Sequence, residues 1–219
     1  MWIASLGHHT NKTNNEVVLA SDVLGLSTLV DLLNNAAAHG ETMSALLGPF
    51  YRANAPLCEN GANIARSRTP GSTLLAQGRV MDLDGMPLPG AMVDVWQSSP
   101  IGLYDNQDPD QADMNLRGRF RTDEEGRYAF RSVRPAGYPV PTGGPVGHLL
   151  RAQHRHPYRP AHVHFIVSAP EHRTLITQIF VDDDEYLQTD VVFGVKQPIV
   201  GGFRRHNKPD GDRYSGVET

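Results

Sequence analysis

Five of the ten histidines in this 219-residue chain fall between His148 and His164. Two of them form His162-Val163-His164 within the β-prone run AHVHFIV. In a strand, residues i and i+2 share a face, so both imidazoles project together while Ala161, Val163 and Phe165 face the other way. Two neutral nitrogens on one rigid face are half a metal site; the plain alternative is two hydrogen-bonded histidines on a solvated face. With a single cysteine, Cys58, thiolate-rich zinc and iron–sulfur sites are excluded, and no carboxylate lies near the pair in sequence. Tyrosine is the remaining donor type. Tyr104 lies just past the run AMVDVWQ, and Tyr138 lies 24 residues before His162. A phenol with a pKa of about 10 binds as phenolate only where a hard, strongly charged cation displaces its proton. Two tyrosinates with two imidazoles therefore point to Fe(III), and the alternative for each tyrosine is ordinary half-buried packing. A zinc hydrolase using His162, His164 and water would leave both tyrosines without a role.

These side chains need a frame. From Thr73 onward, β-prone runs recur between turn signals: LLAQGRVMD before Asp84-Gly85, AMVDVWQ after Pro89-Gly90, and RYAFRSV after Glu125-Gly126. AHVHFIV then precedes Ala169-Pro170, and TLITQIFV precedes the acidic DDDE turn. Strands at this spacing without intervening helices predict a mainly β protein, an antiparallel β-sandwich catalytic domain over residues 46–219. A short N-terminal helical segment is expected within residues 1–45. Leu26, Leu29, Val30 and Leu33 fall at helical spacing, Ala36, Ala37 and Ala38 extend the run, and Ser27 and Gly40 serve as candidate caps. A shorter helix is expected from Glu16 to Asp22, after a polar tail. An isolated helix of this length is marginal in water, so its apolar face is expected to pack on the main domain or on a second subunit. Residues 40–72 are expected to form an ordered loop. The six-proline stretch from Pro135 to Pro160 is expected to be a long functional loop, because Tyr138, Leu149, Leu150 and Tyr158 tie it to a core.

Composition narrows the function. With 21 Gly and 16 Pro the chain favours tight turns over a helical bundle. Twenty basic against 24 acidic residues give a net charge of −4, which argues against a nucleic-acid partner. The sequence contains no apolar run of membrane-spanning length and nothing resembling a signal peptide, and its lone cysteine suits a reducing compartment; a soluble, cytoplasmic protein is expected. It also contains no dinucleotide fingerprint after a strand and no P-loop.

The segments LLGPFYRANAP, the run from DLDGMPLPGAMVDVWQ through GLYD, PAGYPVP and RPAHVHF, and TLITQIFVDDDEYLQTDVVFG resemble the intradiol ring-cleaving dioxygenases. Within that family they are most like the hydroxyquinol and catechol 1,2-dioxygenases. SDVLGLSTLVDLLNN resembles the end of the family's N-terminal helical region. The resemblance implies Tyr104, Tyr138, His162 and His164 as ligands of a catalytic Fe(III), with Tyr138 the exchangeable ligand, and Arg159 and Gln178 as residues lining the substrate site. It implies a small-molecule catecholic substrate and O2 as partners, with both oxygen atoms entering the product. Hydroxyquinol is the expected substrate and catechol the alternative. Wall residues expected to set that choice are Leu47, Phe50, Pro100, Ile101 and Val140. The subgroup carries a longer helical region that forms a dimer interface and a lipid-holding tunnel; with only residues 1–45 before LLGPFYR, a homodimer is an expectation to test. A non-catalytic β-sandwich binding module on the same scaffold is the competing class.

Overall fold

The structure, a computed structural model, describes residues 2–11, 14–35, 40–208 and 211–215. Alternating apolar positions build two facing sheets. One has the strand order β10-β11-β1-β4, from β1 (Thr73–Arg79), β4 (Arg127–Val133), β10 (Arg204–Lys208) and β11 (Gly211–Ser215). The other has the order β3-β2-β7-β8-β9, from β2 (Met92–Gln97), β3 (Arg117–Arg121), β7 (His162–Ser168), β8 (Leu175–Val181) and β9 (Val200–Gly201). Pairing is antiparallel except at β1–β11 and β8–β9. Leu74 and Phe130 from the first sheet meet Val93, Val95, Phe120, Val163 and Phe165 from the second, forming the sandwich core. Each such side chain contributes about 1.5–3 kcal/mol on burial.

The alternate residues of the second sheet turn outward, yet they are buried too. Arg117, Trp96, His164 and Gln178 form one cross-strand row through β3, β2, β7 and β8. All four are at most 1% exposed, and Leu46, Phe50 and Tyr51 of the loop 46–56 pack over this face. Sheets buried on both sides read as near-continuous apolar runs, and here the second face is the polar one.

Helices α1 (Trp2–His9), α2 (Glu16–Val23), α3 (Leu26–Asn34) and α4 (Pro145–Ala152) complete the chain. Leu6, Leu19, Ala20 and Val23 pack against Val146 and Leu150 of α4. Glu16, fully buried, accepts the Val146 N–H at 3.0 Å and so caps α4 from another helix.

Five local expectations are corrected. The expected N-terminal tail contains α1. Ser27 does not cap α3: the capping position is Gly25 at φ 77°, and Ser27 instead meets Ser21 Oγ at 2.9 Å. The proline-rich stretch is not loop throughout; it holds β5 (Tyr138–Pro139), α4 with Pro145 in its first turn, and β6 (Tyr158–Arg159). β3, sequence RGRFR, was hidden by its charges. α3 ends at Asn34 with Asn35 as its C-terminal cap, not at Gly40, and Ala36, Ala37 and Ala38 lie outside the described residues. Within this chain the apolar face of α3 stays open, with Leu26, Leu29, Val30 and Leu33 all exposed and only Thr28 buried.

Candidate active site

The four metal-ligand candidates converge. Tyr104 Oη lies 3.3 Å from Tyr138 Oη, Tyr138 Oη lies 3.5 Å from His162 Nε2, and His162 Nε2 lies 3.0 Å from His164 Nε2. None is more than 4% exposed. The histidines arrive on β7, as the period of two requires. Tyr104 sits in the turn after β2, where its backbone carbonyl accepts from the Gln107 and Asp108 N–H groups. The next residue, Asp105, is pinned by Arg117 Nε at 2.6 Å, by Arg52 and by the Met114 N–H at 3.0 Å. Tyr138 is placed by the two-stranded β5–β6 ladder, in which it stands directly opposite Arg159.

Ring orientations are set individually. His162 Nδ1–H donates to the Pro160 carbonyl at 2.7 Å, which leaves its Nε2 lone pair facing the centre. His164 Nδ1 has no hydrogen-bond partner among the described residues; its ring is held flat against Trp96, centroids 4.6 Å apart and planes 7° apart. Phe50 stacks on Tyr104 at 4.6 Å.

Electrostatics match a binding centre for a cation. Burial, then the neighbouring Tyr138, push the Tyr104 pKa well above 10. Burial, then the Arg159 charge, push His162 well below 6.5; burial, His162, Arg159 and Arg117 do the same to His164. At neutral pH both imidazoles are therefore uncharged, the form that ligates, and the Tyr104 phenol yields its proton only to a strong positive charge. Among the described residues no three His, Cys, Asp or Glu side chains cluster, so the donor set is two phenols and two imidazoles. The donor spacing equals the edge expected around one ion with bonds of about 2.0–2.2 Å, namely about 2.9–3.5 Å. The residues present fit a hard ion.

Arg159 stands beside the centre, Nη1 3.3 Å from His162 Nε2, and donates from Nη2 to Gln178 Oε1 at 2.9 Å. Gln178 in turn donates to the Leu46 carbonyl at 2.5 Å. A cavity opens against Tyr138 and Arg159, walled by Leu19, Asp22, Leu46, Phe50, Gln107, Val140 and Val192. Of the expected wall residues, Phe50 and Val140 line it. Leu47, Pro100 and Ile101 do not: Leu47 and Ile101 are 37% and 69% exposed, and Pro100 faces Gly71. Leu46, one position earlier, takes the inward place. Leu19 and Asp22 were missed as site residues; the available signal was an acid on the same helical face as Leu19. Burial raises the Asp22 pKa above the usual carboxylate value, against the Ser27 hydrogen bond and the Arg159 charge, which lower it.

A family model described as "Dioxygenase" matches residues 46–216, and one described as "Catechol dioxygenase N terminus" matches residues 1–42. The chain is 48% identical to a hydroxyquinol 1,2-dioxygenase of Rhizobium sp. (strain MTP-10005), over 93% of this chain and 69% of that protein. It is 41% identical to a catechol 1,2-dioxygenase of Candida albicans, over 99% and 73%. The crystal structure of a hydroxyquinol 1,2-dioxygenase from Pseudomonas putida DLL-E4 superposes with a TM-score of 0.93 at 39% identity, covering 99% of this chain and 79% of that one.

Proposed function

The chain belongs to the intradiol ring-cleaving dioxygenases, and from that premise we propose that it opens the ring of hydroxyquinol between two adjacent hydroxylated carbons, incorporating both atoms of O2. The observation that carries the reading is the buried meeting point of Tyr104, Tyr138, His162 and His164 beside Arg159. The family uses iron, and here these four residues would hold Fe(III). When bound, that ion would withdraw electron density from a chelated diolate and open its ring carbon to dioxygen. Two phenolates, from Tyr104 and Tyr138, and one hydroxide would neutralise the three positive charges of such an ion, which a buried site requires.

The remaining chemistry belongs to the chain. Tyr138 Oη, on the short β5 ladder and bordering the cavity, is placed to take a proton from an incoming hydroxyl. Arg159, permanently charged, stabilises negative charge developing on the ring and cannot act as a base. Phe50, Val140, Leu46 and Val192 exclude water from the ring's apolar edge. Asp22 is the sole acid among the described cavity-lining residues and offers an acceptor for a third hydroxyl, which favours hydroxyquinol. Catechol is the second reading, favoured by the 41% identity to the Candida albicans protein. Oxygen uptake by iron-loaded protein with hydroxyquinol, catechol and protocatechuate tests both. Fastest turnover with hydroxyquinol supports the first, and silence with all three supports a binding module instead.

We further propose a division at residues 45/46, cytoplasmic residence, and a homodimer in which the exposed Leu26, Leu29, Val30 and Leu33 of α3 meet a second copy. No described helix is long and apolar enough to cross a membrane. A Leu29→Glu, Leu33→Glu variant that keeps the wild-type mass in light scattering would refute the dimer contact.

A further inference from the structure

Arg159 is nearly sealed, its side chain 5% exposed, and its guanidinium has five N–H donors to place. Nε–H goes to Asp190 Oδ1 at 3.2 Å. The two Nη2 hydrogens go to Asp190 Oδ2 at 3.2 Å and Gln178 Oε1 at 2.9 Å. One Nη1 hydrogen points to His162 Nε2 at 3.3 Å, and the other has no protein partner among the described residues. The guanidinium's only unfilled corner is thus the one beside the metal-ligand candidates and the cavity.

Asp190 is what turns it that way. Its carboxylate, 2% exposed, meets the Nε/Nη2 edge in a two-pronged pair. Its remaining acceptor positions take the Val192 N–H at 3.3 Å and the Gly194 N–H at 2.9 Å. Four donors fill the four acceptor sites, so the carboxylate has one orientation. The turn beneath it is fastened independently: Phe193 N–H donates to the Asp190 carbonyl, Val191 N–H to the Tyr158 carbonyl, and Thr28 Oγ1 to the Val192 carbonyl at 2.9 Å. Gly194 leaves the room the pair needs, since a Cβ there would stand 2.9 Å from Arg159 Nη2 and 3.1 Å from Asp190 Oδ2.

We infer that Asp190 and Gly194 form a positioning cradle that aims the free corner of Arg159 at the substrate ring. This rests on the reading of Arg159 given above. The cradle therefore keeps the cation oriented, with the Asp190 carboxylate fixing the plane of its Nε/Nη2 edge. Neither residue touches substrate; both act through Arg159. Replacing Asp190 by Asn sets an NH2 group against either Arg159 Nε–H or Gly194 N–H, and either way two donors face each other.

The test uses iron-loaded Asp190→Asn, Gly194→Ala, Arg159→Lys and the Asp190→Asn/Arg159→Lys double variant, with hydroxyquinol and kcat expressed per bound iron. Misaiming a transition-state group lowers kcat rather than KM. Asp190→Asn and Gly194→Ala are each expected to lose about 10–100-fold in kcat with KM within about 3-fold. In the Arg159→Lys background, which lacks the fork, Asp190→Asn is expected to cost less than about 3-fold more. A second readout needs no turnover: in metal-free protein the Arg159 Nε–H proton is expected to exchange slowly with water, and to lose that protection in both cradle variants. Wild-type kcat per iron in folded Asp190→Asn, or full additivity in the double variant, overturns the cradle. If Asp190→Asn does not fold, Gly194→Ala decides, with wild-type kcat and retained Nε–H protection overturning it. Wild-type kcat in Arg159→Lys instead overturns the role of Arg159, and the cradle with it.

Discussion

The Trp96 indole lies parallel to the His164 imidazole, 7° from coplanar and 4.6 Å centroid to centroid, and it is the contact that orients a ring whose Nδ1 has no hydrogen-bond partner among the described residues. The two residues are register partners on β2 and β7, so the sheet itself brings the stack into place. Trp96→Leu is expected to destabilise the fold by about 2–4 kcal/mol and to lower iron content below that of the wild type. Trp96→Phe keeps a flat ring and removes a buried indole N–H that has no partner among the described residues, so it is expected to restore both. Thermal unfolding and iron per chain are the measurements; unchanged iron in Trp96→Leu would refute the orienting role.

Tyr138→Phe separates fold from chemistry. Among the described residues its hydroxyl touches only Tyr104 Oη and His162 Nε2 within hydrogen-bond range, so stability is expected to change by about 1 kcal/mol. Turnover is expected to fall about 10²–10⁴-fold, and the visible band from tyrosinate-to-iron charge transfer to shift. A colourless wild-type protein saturated with zinc would contradict the ligand set.

On the proposed reading, in which it accepts from the third hydroxyl, Asp22 sets the choice of substrate. Asp22→Ala is expected to lower kcat/KM for hydroxyquinol about 10–100-fold through loss of the acceptor for the third hydroxyl. For catechol, which lacks that hydroxyl, the change is expected to stay within about 3-fold. Equal losses on both substrates would mean that Asp22 shapes the pocket without reading the ring.

In metal-free protein the histidines make stability depend on pH. The folded His164 pKa lies well below 6.5, lowered first by burial and then by His162, while the unfolded chain titrates near its ordinary value. Below about pH 6.5 the unfolded state binds a proton that the folded state refuses, so stability is full above that pH and falls as pH drops. Comparing wild type with His164→Gln cancels the other groups, including Asp94, which burial raises to about 6. Between pH 7.5 and 5.5 the wild type is expected to lose about 1.4 kcal/mol more than the variant in urea unfolding. A parallel loss in both proteins would count against a buried neutral His164.

Much of the frame was legible locally. The His162/His164 pair on one face and the inward Val163 and Phe165 follow from strand period alone, and the sheets carry them as expected. β3 was not legible, because Arg117 and Arg119 read as solvent-facing until Asp105 and the Ala55 carbonyl are seen to take them. α4 was masked by flanking prolines, although Pro145 is well suited to a first helical turn.

By itself the sequence determined which residues can donate to a hard cation and which strand presents half of them, since residue chemistry and period-two geometry are properties of neighbours. Only the tertiary structure decided that Tyr104 and Tyr138, 34 positions apart, meet at 3.3 Å. It alone turned Leu46 inward in place of Leu47, brought Asp22 from a helix to the cavity, and set Asp190 behind Arg159. Such meetings depend on the path of the chain between the partners, and residue spacing along that path carries no record of the angle at which it returns.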